Sequence, residues 1–206
     1  MRRLIFTTAL AFTALALALA VPQPARALGT IEGFYGLTRP PGTSFRSEVS
    51  GAANDPHVFS NSLNIAGADV LLDFGGPLEL GAIGDITWKH NSASQTALGA
   101  LLGMKFEVGG VRIDALGEAG GHRYGNLADN PSVVTKSNAD QWFAYLGLRP
   151  GIAFTFGKPG MELGLWTFVR WDLTNKRVPI TVNDVNSSVR LGGPSVGATV
   201  RLGFGF

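Results

Sequence analysis

The 206-residue chain contains no cysteine. It therefore has no disulfide, no thiolate metal site and no cysteine nucleophile. Only 16% of its residues are charged, and the formal net charge is +2. No dense block of Lys and Arg appears, so nothing supports a nucleic acid partner. After the N-terminal segment, no stretch reaches the roughly 18 apolar residues of a spanning helix. If the chain enters a membrane, it must cross with strands.

The first segment has the features of an export signal. Arg2 and Arg3 precede an apolar run over residues 4–21, and Ala25-Arg26-Ala27 follows a proline-containing break. This order predicts a signal peptide at residues 1–27 with cleavage after Ala27, and a single domain at 28–206. The alternative is an uncleaved N-terminal anchor, because the apolar run is about long enough to span a bilayer.

The mature chain alternates apolar residues with polar or small ones. From Val196 to Phe206 every second residue is apolar, and the residues between them are mostly small or polar. This two-residue period is typical of strands in a membrane barrel, which face lipid and lumen in turn. We predict eight such strands, an even number that places both chain ends on one side, at about 30–38, 62–74, 78–90, 96–107, 111–123, 140–156, 161–172 and 194–206.

The connections between these segments alternate in length. Short Gly- and Pro-containing turns are predicted at 75–77, 108–110 and 157–160, where Gly supplies positive φ. The other connections are 91–95 and three long polar loops, at 39–61, 124–139 and 173–193. Because outer-membrane barrels have short periplasmic turns and longer outer loops, we expect both termini to face the periplasm.

The aromatic residues support this orientation. Trp88, Trp142 and Trp171 fall where strands meet the longer connections, while several Phe residues fall at the opposite strand ends, at positions 74, 106, 154, 156, 204 and 206. Aromatic rings prefer the two interfaces of a membrane. The pattern predicts an all-β fold, an eight-stranded antiparallel up-and-down transmembrane barrel in the bacterial outer membrane, reached through the periplasm. The alternative is a soluble antiparallel sandwich with an aromatic core.

Strand number, loop alternation and aromatic girdles together resemble the small outer-membrane barrels of the OmpA/OmpX type. The ending Val200–Phe206 is similar to the terminal signal that the barrel-assembly machinery recognises, with Phe204 and Phe206 as its aromatic residues. The resemblance implies that the partners are outer-membrane lipids, lipopolysaccharide and, through the C-terminal strand, that machinery.

The inward face carries two groups of residues that define the candidate site. An ionic network is predicted near the short turns, formed by Glu79, Lys105, Glu107, Arg112, Asp114, Arg149, Glu162 and Arg201. An apolar layer is predicted at mid-height, formed by Leu101, Leu116, Phe143, Tyr145, Trp166 and Phe168. Paired charges and packed rings predict a plugged lumen, because eight strands enclose little more than side chains. The alternatives are an ion gate and an apolar cavity for a small hydrophobic ligand, as in OmpW-type barrels.

Catalysis has little support. The His-Asn-Ser sequence at 90–92 resembles the His-x-Ser of lipid A deacylase barrels, but the next carboxylate, Glu107, falls at the far end of its strand. We therefore predict no catalytic, cofactor-binding or metal-binding residue.

The predicted function is a non-enzymatic barrel that supports envelope integrity or surface contact, with an unknown ligand at the three long loops. A narrow route for small hydrophobic molecules is the alternative, and a lipid A-modifying enzyme is a third candidate.

Overall fold

The computed structural model describes residues 28–41, 44–47, 62–89, 94–125, 136–137, 142–156, 160–182 and 185–206. The predicted signal peptide and its cleavage site lie outside these residues. Within them, no helix is long and apolar enough to cross a membrane. The described residues form twelve strands, in chain order β1 (Gly29–Arg39), β2 (Ser44–Ser47), β3 (Leu63–Asp73), β4 (Leu78–Trp88), β5 (Ser94–Val108), β6 (Val111–Gly125), β7 (Lys136–Ser137), β8 (Trp142–Phe156), β9 (Met161–Asp172), β10 (Lys176–Val182), β11 (Val185–Leu191) and β12 (Pro194–Gly205).

Eight of these strands close into an antiparallel barrel. Their order around the barrel is β1-β12-β9-β8-β6-β5-β4-β3, so each strand pairs with its neighbours among the barrel strands along the chain. This confirms the predicted eight-stranded up-and-down barrel. The strand ends differ from the predicted ones by at most two residues. The prediction succeeds because one face of every strand is small or polar and the other is apolar.

The pairing register fixes the barrel's shape. Following paired residues once around the barrel from Arg39 leads back to Gly29, ten residues earlier on the same strand. Strand number and stagger together set the strand tilt, typically about 35–45° in barrels, and the width of the interior. The stagger also decides which inward side chains lie at one height.

The outward face is apolar along the whole barrel. Trp88, Trp142 and Trp171 are exposed at the end of the barrel where the long loops lie, and Phe74 and Phe204 are exposed at the other end. Exposed Leu, Ile and Val side chains occupy the band between these rings. A continuous apolar surface of this extent suits hydrocarbon and would be unfavourable in water.

The remaining four strands form a second sheet, which was not predicted from the sequence. Parts of the three long loops contribute to it, in the order β2-β11-β10-β7. Val178, Val189 and Leu191 are buried. Lys176, on the same face as Val178, places its Nζ 5.6 Å from the centre of the Phe143 ring inside the barrel. This cap sheet therefore turns its apolar face toward the mouth of the barrel.

Candidate functional site

The candidate site is the barrel interior between the short-turn end, near Phe74 and Phe206, and the long-loop end, near Arg39 and Trp142. Inward side chains there form two ionic clusters. Aromatic rings lie between the clusters and contact arginines from both.

Arg112 on β6 is the centre of the cluster at the short-turn end. Its Nε lies 2.8 Å from Asp114 Oδ1, and its Nη1 lies 2.6 Å from Glu162 Oε2. The same guanidinium reaches Glu79 at 3.3 Å and Glu32 at 3.4 Å. Since β6 and β1 are opposite in the barrel order, the pair of Arg112 and Glu32 spans the interior.

Two further cations complete this cluster. Lys105 Nζ lies 2.6 Å from Asp73 and 3.3 Å from Glu79, and it reaches the more exposed Glu107 at 3.7 Å. Arg201 Nη1 contacts Asp69 at 2.6 Å and Glu32 at 2.9 Å. Buried charges persist when they are paired in this way, and breaking one pair is costly.

Glu118 on β6 is the centre of the second cluster, nearer the long-loop end. Its carboxylate accepts hydrogen bonds from the Tyr145 hydroxyl at 2.6 Å, from Arg170 at 2.7 Å and from Arg149 at 3.1 Å. Arg170 also forms a two-pronged ion pair with Asp85. Because β9 and β4 are opposite in the barrel order, this pair is a second connection across the interior.

The guanidinium groups stack on aromatic rings. Arg149 Cζ lies 4.9 Å from the ring centre of Phe168 and 5.6 Å from that of Phe34. Arg201 Cζ lies 4.7 Å from the Trp166 ring and 5.0 Å from the Phe34 ring. A planar guanidinium can stack on a ring while its edge hydrogen-bonds a carboxylate. Charged and aromatic residues are therefore interleaved, and they do not form the separate layers expected from the sequence.

The structure redistributes several residues of the predicted sets. Leu101, Leu116 and Phe168 pack in one buried cluster, together with four residues outside the predicted set, Phe34, Ile65, Leu71 and Ile83. Trp166 lies against Arg201 instead. Tyr145 and Phe143 lie nearer the long-loop end, where each stacks on His122.

Arg149 also differs from its expected place, because its carboxylate partner is Glu118 in the cluster nearer the long-loop end. Among the described residues, the other predicted ionic residues meet at the short-turn end, as described above. Glu32, Asp69, Asp85 and Glu118 take part in these clusters, although they were not among the residues predicted from the sequence. Asp85 and Glu118 could have been found, since they share a two-residue period with Glu79 and Arg112.

Glycines on the inward face make room for the large rings. An added Cβ at Gly151 or Gly164 would overlap the Trp166 indole, and one at Gly197 would overlap the Phe168 ring. The rings can lie flat against the barrel wall only because these positions have no side chain. These inward glycines are therefore required for the large aromatic rings to fit inside the barrel.

The long-loop end of the interior contains a compact polar group around Asp172. Its carboxylate accepts hydrogen bonds from the Tyr124 hydroxyl at 2.9 Å and from the Gly193 N–H at 3.1 Å. His122 Nε2 lies 3.2 Å from the same carboxylate. Asp172 ends β9 and Gly193 precedes β12, so these contacts hold together the two ends of the segment that forms β10 and β11.

In the part of the chain that the structure describes, no group of three or more His, Cys, Asp or Glu could hold a metal ion. His57 and the His-Asn-Ser sequence at 90–92 lie outside the described part of the chain. His122 lies between aromatic rings beside Asp172, an arrangement that fixes the imidazole in place.

Comparisons with known proteins identify the fold. No protein-family model matches the chain, and no curated protein sequence matches it. Among solved structures, Neisserial surface protein A superposes with a TM-score of 0.55 at 12% identity, covering 89% of this chain and 100% of that one. The outer membrane protein OprG from Pseudomonas aeruginosa superposes with a TM-score of 0.54 at 11% identity, covering 88% and 99%. The chain has the fold of the small eight-stranded outer-membrane β-barrels of the OmpA/OmpX type.

Proposed function

We propose that this protein is a closed, non-enzymatic barrel of the bacterial outer membrane, exported through the periplasm, that supports envelope integrity or surface contact through its long loops. The observation that supports the proposal is the pair of connections across the interior, Arg112 with Glu32 and Arg170 with Asp85. They lie at two heights and join opposite walls. Both termini face the periplasm in this proposal, and the cap sheet lies outside.

A water-filled path through this interior would have to separate buried ion pairs at both heights. Removing one partner of a buried pair typically costs about 3–5 kcal/mol. Porins avoid this problem by using about sixteen strands, which leave room for water. Eight strands with paired charges and packed rings favour a rigid scaffold over a channel.

The partners in this proposal contact the outer surface. Lipids and lipopolysaccharide surround the apolar band. Phe204 and Phe206 are both exposed on the outward face at the end of the last strand, where they are accessible to the barrel-assembly machinery. The cap sheet and the rest of the three long loops remain for contact with a surface ligand.

Conductance in planar bilayers tests the closed interior. We expect the wild-type barrel to show at most rare, small openings. Arg170→Ala removes one connection across the interior and should make openings more frequent, whereas Arg177→Ala in the cap sheet should leave them unchanged. Heat-modifiable gel mobility verifies that each variant is folded. Stable, large wild-type channels would overturn the proposal.

A second candidate is a narrow route for small hydrophobic molecules, and one observation favours it. The pairing of β8 with β9 is interrupted between Leu148–Val169 and Gly151–Trp166, where Pro150 has no N–H to donate. Such a gap in the wall could open sideways into the membrane. The test measures the transfer of an apolar fluorophore into vesicles that contain the barrel. If molecules pass through the gap, the wild-type barrel transfers the fluorophore and Pro150→Val lowers the rate. If the barrel is closed, no transfer is seen.

A further inference from the structure

The two faces of the cap sheet differ in polarity. Val178, Val189 and Leu191 are buried toward the mouth of the barrel. On the opposite face of β10 and β11, Arg177, Pro179 and Arg190 are exposed. The apolar inner face explains why the sheet packs on the barrel. It does not explain why the outer face has exposed arginines.

Two arginines of the outer face are held directly opposite each other. Arg177 and Arg190 are partners in the antiparallel register of β10 and β11. Like charges at opposed positions destabilise a strand pair. Arg177 Nη1 donates to the Ser188 hydroxyl at 3.4 Å, and among the described residues neither arginine has an ion pair with a carboxylate. An anion that bridged the two guanidinium groups would relieve this repulsion.

The surrounding strands add positive charge and no negative charge. In the backbone register, Arg46 of β2 pairs with Ser188, and Lys136 of β7 pairs with Thr181. The sequences of the four strands, SFRS, KS, KRVPITV and VNSSVRL, contain no Asp or Glu. Basic residues thus occur on all four strands of the sheet. Charge of one sign concentrated on one small sheet favours a partner of the opposite sign.

We infer that the outer face of the cap sheet binds sulfate or phosphate groups of an anionic polysaccharide. The guanidinium fork matches these oxyanions with two parallel hydrogen bonds. Ser188 lies beside Arg177 and can hydrogen-bond sugar hydroxyls, while no aromatic ring occurs on this face of β10 or β11 to stack a nucleic acid base. The face points away from the mouth of the barrel. The inference rests on the proposed surface role and names its ligand class.

The test measures oligosaccharide binding to the full-length barrel in nanodiscs of zwitterionic lipid. The probes are a heparin oligosaccharide, which carries sulfate, and a phosphorylated lipopolysaccharide core oligosaccharide, which carries phosphate. Neutral dextran and polyglutamate are the comparison ligands. We expect at least one anionic oligosaccharide to bind, with affinity that falls as salt rises. The relative affinities of the two probes then distinguish sulfate from phosphate as the preferred group.

The variants separate specific contacts from general charge. Arg177→Gln with Arg190→Gln should weaken binding by about tenfold or more, since charge-assisted hydrogen bonds are lost. The double lysine variant keeps the charge but loses the fork, so its affinity should be intermediate. Arg39→Gln, which removes an exposed cation at the end of β1, should bind like wild type. Folding of the glutamine variant should be unimpaired, because a like-charge pair is removed.

Several results would overturn the inference. They are failure of both anionic probes to bind, wild-type affinity in the glutamine variant, an equal loss in Arg39→Gln, or equal binding of dextran or polyglutamate. A second measurement, the protease accessibility of the long loops in intact cells, tests the proposed surface role separately from polysaccharide binding. Accessible loops without polysaccharide binding refute only the inference, whereas inaccessible loops refute the proposed surface role.

Discussion

Replacing Glu118 by Gln should destabilise the barrel strongly. Both the Glu118 and the Arg149 side chains are fully buried, at 0% exposure. Glu118 is the carboxylate that pairs with Arg149, whereas Arg170 keeps Asp85 when Glu118 is lost. Among the described residues, the substitution leaves Arg149 buried with no carboxylate at ion-pair distance. Breaking a buried pair costs about 3–5 kcal/mol. Because the amide oxygen of glutamine still accepts hydrogen bonds, we expect the lower half of that range.

The matched control is Glu107→Gln, which makes the same chemical change at an exposed site. The Glu107 side chain is 32% exposed and lies 3.7 Å from Lys105, which keeps Asp73 and Glu79 as partners. Exposed ion pairs contribute about 0–1 kcal/mol. Reversible urea unfolding in lipid vesicles, followed by tryptophan fluorescence, measures both variants. Equal midpoints for the two would refute the assignment of Glu118 as a structural centre.

Three further predictions follow from the barrel wall. Gly164→Ala should cost about 1–3 kcal/mol, because its Cβ would overlap the Trp166 ring, whereas Gly33→Ala, with open space around it, should be nearly neutral. The same urea titration measures both, and equal costs would show that the ring is not seated on the glycine. Leu102→Arg places a charge on the exposed outward face and should cost about 2–4 kcal/mol in vesicles, with Leu102→Ala costing less. An unaffected arginine variant would contradict the lipid-facing assignment. Deleting Phe206 should reduce the amount of barrel in the outer-membrane fraction while purified protein still refolds in detergent, and normal cellular levels would count against its role in assembly.

The barrel architecture could be predicted from local sequence. Alternation with a period of two decides which residues share a face of a strand, and it needs no knowledge of the partner strand. Short Gly- and Pro-containing turns separate the strands. The outward-facing aromatic residues then show which end of each strand lies at which end of the barrel. Trp88 and Trp142, for example, are exposed at the long-loop end. For these reasons every barrel strand was predicted to within two residues at each end.

The partners of the interior residues could not be predicted in the same way. Arg149 pairs with Glu118 and not with the carboxylates of the short-turn end. This choice depends on the height of Arg149 along the barrel axis. The stagger of all eight strands sets that height, so the residues near Arg149 in the sequence do not reveal it. The connection between Arg170 and Asp85 joins strands that are far apart in sequence and opposite in the barrel. Such contacts exist only after closure.

The cap sheet also depended on tertiary structure. Its strands are short, and β10 contains a proline at position 179, so their sequences resemble loops. They pair because the closed barrel brings the ends of three long loops around one mouth. The apolar face of Val178 and Val189 is then buried there. The local pattern of the sequence thus determined the barrel strands and which of their residues face outward. Barrel closure determined which distant side chains and which loops come into contact, because these contacts are not set by neighbouring residues in the chain.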